Sequence, residues 1–165
     1  MQPDGRIDST SPIHIRKMLE GDVPACMAIL EMWNMAPRQA SEDNPDPERS
    51  SIDIANGFVA EAGGRIVGTC GYIVHNPGLA ETASLAVDPS FKGGGVGYLL
   101  QKARLDEMRL RGIRIVRTET DRPDTIRWYV EKFGYRIVGT NPKKHDFSLP
   151  DADHWTVLEL DLAST

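Results

Sequence analysis

This chain of 165 residues has little cysteine to build with. Its two cysteines, Cys26 and Cys70, stand far apart and fit no metal-ligand spacing. They read as small buried hydrophobes rather than a disulfide or a redox pair. His14, His75, His145 and His154 are no better spaced, so no metal site is expected. His75 and His145 can be placed beside a cleft, but structural or solvent positions are the plainer reading. No apolar run is long enough to cross a bilayer, and no partner membrane is expected. Met1-Gln2-Pro3-Asp4-Gly5 lacks the apolar region of a signal peptide, so the expected location is cytoplasmic. Basic residues are the minority, 19 against 24 acidic, for a formal charge of −5. That balance argues against a nucleic-acid partner, which favours a basic face, and is compatible with a cationic substrate. Repeats and low-complexity tracts are also lacking.

What is present suits one domain: 40% hydrophobic and 26% charged residues in a chain long enough to bury a core. Residues 1–11 read as a polar, disordered tail, and 12–165 as the domain. Ile13 and Ile15 alternate with polar neighbours, as in a short strand. Asp22 and Pro24 open a helix with Cys26, Ile29, Leu30 and Trp33 on one side. From 34 to 51 prolines interrupt the pattern, and Glu42, Asp43, Asp46 and Glu48 make it acidic. Strands at 57–62 and 65–74 flank Gly63-Gly64, a strong hairpin signal. A third antiparallel strand runs from Leu79 to Val87. A helix follows, with Val96, Leu99, Leu100, Ala103 and Leu110 as its apolar side, Arg104, Asp106, Glu107 and Arg109 as its wet face, and Gly112 as its end. The strand 113–118 must then run parallel to 79–87, because the helix carries the chain back across the sheet. Asp121 is positioned to cap a helix bearing Ile126, Tyr129, Val130 and Phe133, which Gly134 ends. Strands at 135–140 and 155–162 complete a mixed, mostly antiparallel α/β sheet with helices on both faces. The last strand can serve the monomer or a homodimer interface.

The chemistry-bearing stretch is Lys92-Gly93-Gly94-Gly95-Val96-Gly97-Tyr98, between a strand and a helix. Glycines let backbone N–H groups converge, and a helix start adds unpaired N–H groups and a positive dipole end. Phosphate is the natural ligand of that combination. The Walker loop is excluded because the lysine precedes the glycines, and the dinucleotide fingerprint because Tyr98 or Leu100 falls where its last glycine belongs.

The loop does resemble the pyrophosphate loop of the GCN5-related N-acetyltransferases (GNAT): Arg or Gln, two free residues, Gly, any residue, Gly or Ala, with Lys92 in first place. The likeness extends back through Ala80–Pro89, similar to that family's fourth strand. It extends forward to Trp128-Tyr129-Val130-Glu131-Lys132-Phe133-Gly134-Tyr135, similar to its late helix-turn signature. In all it covers about residues 57–140.

The resemblance implies the GNAT fold, with a splayed parallel strand pair, and acetyl-CoA as the acyl-donor cosubstrate. Lys92, Gly93, Gly94, Gly95, Val96, Gly97 and Tyr98 would hold its pyrophosphate. The backbone of Leu85, Ala86 and Val87 would hold its pantetheine arm and polarise the thioester oxygen. Glu81 is the implied general base, direct or through water, against the plainer reading of a salt-bridge partner. Tyr129 is the implied acid for the departing thiolate, against that of a core aromatic. Arg122 stands where relatives often carry an asparagine that holds the coenzyme arm; here it meets a phosphate or is a surface charge. The expected acceptor is a small-molecule amine, drawn to the acidic 34–51 segment. A protein lysine or N-terminal amine, or a non-catalytic acyl-CoA sensor, are the alternatives.

Overall fold

Gly63 and Gly64 both take positive φ, 57° and 81°, the geometry of a two-residue hairpin turn that side chains resist. The computed structural model, which describes residues 11–37, 53–91, 93–143 and 147–164, builds a seven-stranded sheet around that hairpin. In chain order the elements are β1 (Ile13–Lys17), α1 (Val23–Met32), β2 (Phe58–Ala62), β3 (Arg65–Asn76), β4 (Leu79–Val87), α2 (Val96–Leu110), β5 (Ile115–Thr120), α3 (Pro123–Phe133), β6 (Arg136–Pro142) and β7 (His154–Asp161). The strand order is β1-β2-β3-β4-β5-β7-β6. Every pairing is antiparallel except β4 with β5. The last strand therefore lies inside the sheet, and β6 forms an edge with all seven residues exposed. Of the expectations above, those on residues 1–10, on the acidic side chains at 42, 43, 46 and 48, on Lys92 and on His145 lie outside the described residues.

Two faces of the sheet are covered. Phe58, Ala60 and Ala62 of β2 join Leu100 and Met108 of α2 and Tyr129 of α3 in the main core. Val59 points the other way, onto Cys26 of α1, as the two-residue period of a strand requires. Both cysteines are free and buried.

The buried stripe of α2 differs from the one expected. Val96 and Leu100 are buried as expected, together with Gln101, Arg104, Leu105 and Met108, whereas Leu110 is 89% exposed and Leu99 is partly so. Arg104 is thus not on a wet face. Two polar side chains sit within a stripe that keeps helical spacing, so hydrophobicity alone placed Val96 and Leu100 correctly but misplaced Leu99, Arg104 and Leu110. Asp22 and Asp121 are not caps by side chain either. Arg122, not Asp121, is the N-cap of α3, with no side-chain cap bond, and the Asp22 side chain makes none at the start of α1. Asp22 instead accepts from Arg16 and the Leu19 N–H. Asp121 accepts from Lys143 and the Leu149 N–H. Gly112 and Gly134 do follow their helices with φ of 79° and 76°.

The rotated stripe makes a direct prediction. Leu100→Ala opens a cavity in the core and should cost about 2–5 kcal/mol. Leu110→Ala should change stability by less than about 0.5 kcal/mol. Urea unfolding of the two variants checks the assignment, which fails if their losses are equal.

Candidate active site

β4 and β5 are partners for only three residue pairs, Leu79 with Ile115, Ala80 with Val116 and Glu81 with Arg117. Beyond Glu81, β4 continues to Val87 and β5 to Thr120 without pairing to each other. The strands part, and β4 turns one backbone edge into the gap. On its other side β4 stays paired with β3, but the register slips between Thr69 and Gly71, where β4 carries one extra residue. That bulge contains Ser84, whose φ is +61°, an uncommon conformation for a side chain other than glycine. The bulge reverses the alternation: Ala80 joins the core beneath α2, while Ala86 packs beneath α1 on Ile29 and Leu30.

The gap opens into a cavity of about 810 Å³. Leu85, Ala86, Val87, Gly93, Gly95, Val96, Gly97, Tyr98, Arg122 and Tyr129 all line it. The sequence-derived residues from the strand, the glycine loop and the late helix are thus brought to one place. Gly94 is not on the lining; its N–H donates to the Phe91 carbonyl. Glu81 is not on the lining either. It sits at the closed end of the split, its carboxylate 3.4 Å from His75 Nε2, beside Ile73, its cross-strand partner, which does line the cavity.

Local chemistry explains each wall. Gly93 and Gly95 have φ of 85° and 84°, so the loop turns where a Cβ would be strained. Gly95 is the N-cap of α2, and the helix presents its unpaired N–H groups to the cavity. Ahead of the loop, Asp88 Oδ1 accepts from the Ser90 N–H and hydroxyl at 3.0 and 2.8 Å, and Oδ2 from Arg65 at 2.6 Å. Burial pushes this carboxyl up, but those bonds outweigh it and hold it below its ordinary value. The indole N–H of Trp33 donates to the Val87 carbonyl at 2.8 Å, which ties α1 to the end of β4.

Arg122 does not stand alone on the surface. Its guanidinium lies 5.1 Å from the Trp33 ring centre, and its Nε donates to Ser148 Oγ at 3.1 Å. The 147–149 segment it touches is pinned by Asp121 and Lys143, an ion pair with side chains 0% and 3% exposed. Tyr129 is 3% exposed and packs in an aromatic group with Trp128 and Tyr135. Its hydroxyl accepts a 3.0 Å hydrogen bond from Arg104 Nη2.

Among the lining residues that the reading of the sequence did not single out, three polar ones stand out. Glu119 of β5 enters from the far wall. Thr82 lines the cavity with its Oγ1 buried and lacking a hydrogen-bond partner among the described residues. Arg104 was assigned to solvent. No local signal marks the first two, since a strand's charged or hydroxyl residue faces a cleft only where its neighbour strand departs. Among the described residues no group of His, Cys, Asp and Glu can hold a metal ion, and no helix is long and apolar enough to cross a membrane.

The sequence profile of the Acetyltransferase (GNAT) family matches residues 26–135. No curated protein matches this sequence. Solved structures share the fold at low identity. An IAA acetyltransferase from Bacillus cereus superposes with a TM-score of 0.70 at 15% identity, covering 91% of this chain and 99% of its own. The ribosomal-protein-S18-alanine N-acetyltransferase of Escherichia coli gives 0.68 at 19%, covering 92% and 94%. The yncA protein of Salmonella typhimurium, solved with its cofactor acetyl-CoA, gives 0.65 at 20%, covering 91% and 94%.

The Asp88 bonds predict an acid-dependent loss. A carboxyl held low contributes stability that is complete above its unfolded value of 3.8 and disappears as pH falls through its folded value. Asp88→Asn should cost about 1–3 kcal/mol near neutrality. The gap from the parent protein should narrow below 3.8. Urea titrations across pH test this; a gap independent of pH contradicts it.

Proposed function

The chain belongs to the acetyltransferase (GNAT) family, whose members use acetyl-CoA, and we propose that it acetylates the primary amine of a small molecule by direct attack in a ternary complex. The observation that carries this reading is the split beyond Glu81, which brings a backbone edge, a helix N-terminus and Tyr129 to the wall of one cavity. The donor fits that cavity. A strand edge without a ladder partner needs hydrogen bonds, and the amides of a pantetheine arm supply them along Leu85, Ala86 and Val87. The buried Thr82 hydroxyl offers one more polar contact. The α2 N-terminus, the glycine loop and Lys92 beside it in sequence suit the pyrophosphate. Arg122, already engaged with Trp33 and Ser148, suits ordering the wall between α1 and the 147–149 segment. The aromatic and loop walls around Trp33, Phe147 and Trp155 favour a compact acceptor over a folded protein surface.

The chemistry follows from those positions. The amine attacks as its neutral form, because an ammonium has no lone pair. Backbone N–H groups of the 85–87 stretch stabilise the oxygen as charge builds on it. As the carbon–sulfur bond breaks, its electron pair stays on sulfur and the Tyr129 hydroxyl proton passes to it. The amine proton leaves through a water to Glu81, since that carboxylate stands behind Ile73 rather than on the lining. Glu119, which does line the cavity, supports a second reading in which it takes the proton directly.

Two outcomes test this. Acetyl-CoA and CoA should each raise stability, by about 2.7 kcal/mol at a hundredfold excess over the dissociation constant, whereas NAD and ATP should not. No shift with CoA in thermal denaturation defeats the reading. In thiol-release assays with an amine found by screening, Tyr129→Phe should lower kcat about 100-fold while CoA affinity stays within about threefold. Unchanged kcat rejects the acid. Glu81→Gln should lower kcat more than Glu119→Gln; the reverse order selects the second reading. Tight CoA binding without turnover on any amine returns the protein to a sensing role.

A further inference from the structure

Arg104 is 0% exposed, and among the described residues it has no carboxylate within ion-pair distance. A guanidinium in that position is costly unless its donors are used. They are used in a specific way. Nε donates to Gln101 Oε1 at 2.6 Å. Nη1 donates to the carbonyls of Gly71 at 3.0 Å and Ala83 at 3.3 Å. Nη2 donates to Tyr129 Oη at 3.0 Å. Ala83 lies directly before Ser84 in the bulge of β4, and Gly71 is its partner in β3. One side chain of α2 therefore holds together the bulged strand and the tyrosine of α3. Gln101 extends the contact to the Tyr135 hydroxyl at 2.9 Å. Burial opposes the charge on Arg104, but its neighbours, Tyr129 first, more than offset this and favour the cation.

An arginine has donors and no acceptor. It can bond the Tyr129 oxygen, but it cannot receive the Tyr129 proton. The hydroxyl must direct that proton elsewhere, and Tyr129 borders the cavity.

We propose that Arg104 is a positioning residue for the transfer step, one that fixes the Tyr129 oxygen, leaves its proton for the cleft and balances the phenolate left when that proton moves. The proposal rests on Tyr129 acting as the acid. In the step, the carbon–sulfur bond breaks and sulfur keeps the electron pair. The Tyr129 O–H bond breaks, its proton joins sulfur, and its electrons stay on oxygen beside the guanidinium. Solvent returns a proton to the phenolate after CoA leaves, matching the proton given up by the amine. The same guanidinium holds the bulge carbonyls, so the acid and the pantetheine-binding edge keep one relative placement.

The test is a double-mutant cycle in the full chain. Arg104→Lys and Arg104→Gln are made in the parent and in the Tyr129→Phe background. Thiol release at saturating acetyl-CoA is measured with the screened amine. In the parent, each change should lower kcat by about tenfold or more, with KM for acetyl-CoA moving less than about threefold. In the Tyr129→Phe background, the same changes should lower kcat by less than about twofold. Equal losses in both backgrounds overturn the proposal, as does no loss in the parent. Failure of the acid reading is seen separately, as an unchanged kcat in Tyr129→Phe alone. Thermal melts accompany every variant; an Arg104→Lys chain that does not fold makes the arginine part of the scaffold and also overturns the proposal.

Discussion

Beyond Glu81 the fourth strand bonds to a neighbour on one side only. Backbone N–H and C=O groups away from water demand partners, so a parted pair of parallel strands is a demand for a ligand built into the middle of a sheet. Everything around the cavity follows from tolerating that gap. The bulge at Ser84 turns β4 away from β5. The Trp33 indole fastens the far end of β4 to α1. The buried pair of Asp121 and Lys143 anchors the segment that closes the side beyond β5. A sheet with a conventional ladder at that point would be more self-sufficient and would have no place for an extended amide-bearing arm.

The gap also explains why a cation is worth burying. The two carbonyls that Arg104 holds, Gly71 and Ala83, lie where the β3–β4 register slips. A bulge leaves ladder groups poorly satisfied, and a fork of N–H donors is well shaped to serve two of them at once. A hydrophobic side chain at position 104 would pack but satisfy neither. The same fork reaches the Tyr129 oxygen, so repair of the strand and orientation of the phenol come from one group. Desolvation makes that arrangement expensive and also gives it strength, because charge interactions are weakly screened there.

Much of this was legible beforehand, for identifiable reasons. Gly63-Gly64 announced its hairpin because only glycine accepts both dihedrals cheaply. The parallel pairing of β4 and β5 was forced by an intervening helix. Leu158 and Leu160 alternate with polar residues in the last strand, and both are buried. The order of loop, strand and late helix pointed to the family. Legibility stopped where a residue's partner was remote. Arg104 looked like solvent because charge usually is, and its partners at 71, 83 and 129 come from three other elements. Glu119 and Thr82 gave no sign, because whether they face a ladder or a cleft depends on where β4 leaves β5. Asp121 resembled a cap, but a lysine 22 residues on claims its carboxylate.

By itself, the sequence determined the strands and helices, the direction in which they run and the loop that a phosphate would meet. Those are consequences of side-chain period, glycine dihedrals and helix termini, each settled within a few neighbouring residues. Tertiary structure alone decided where the sheet opens, which polar groups border the opening and what holds the tyrosine there. Such features are set by hydrogen bonds between distant segments, and their positions depend on the register of one strand against another. A single extra residue in β4 changes which side chains face α1 and which face α2, and no local pattern records that slip.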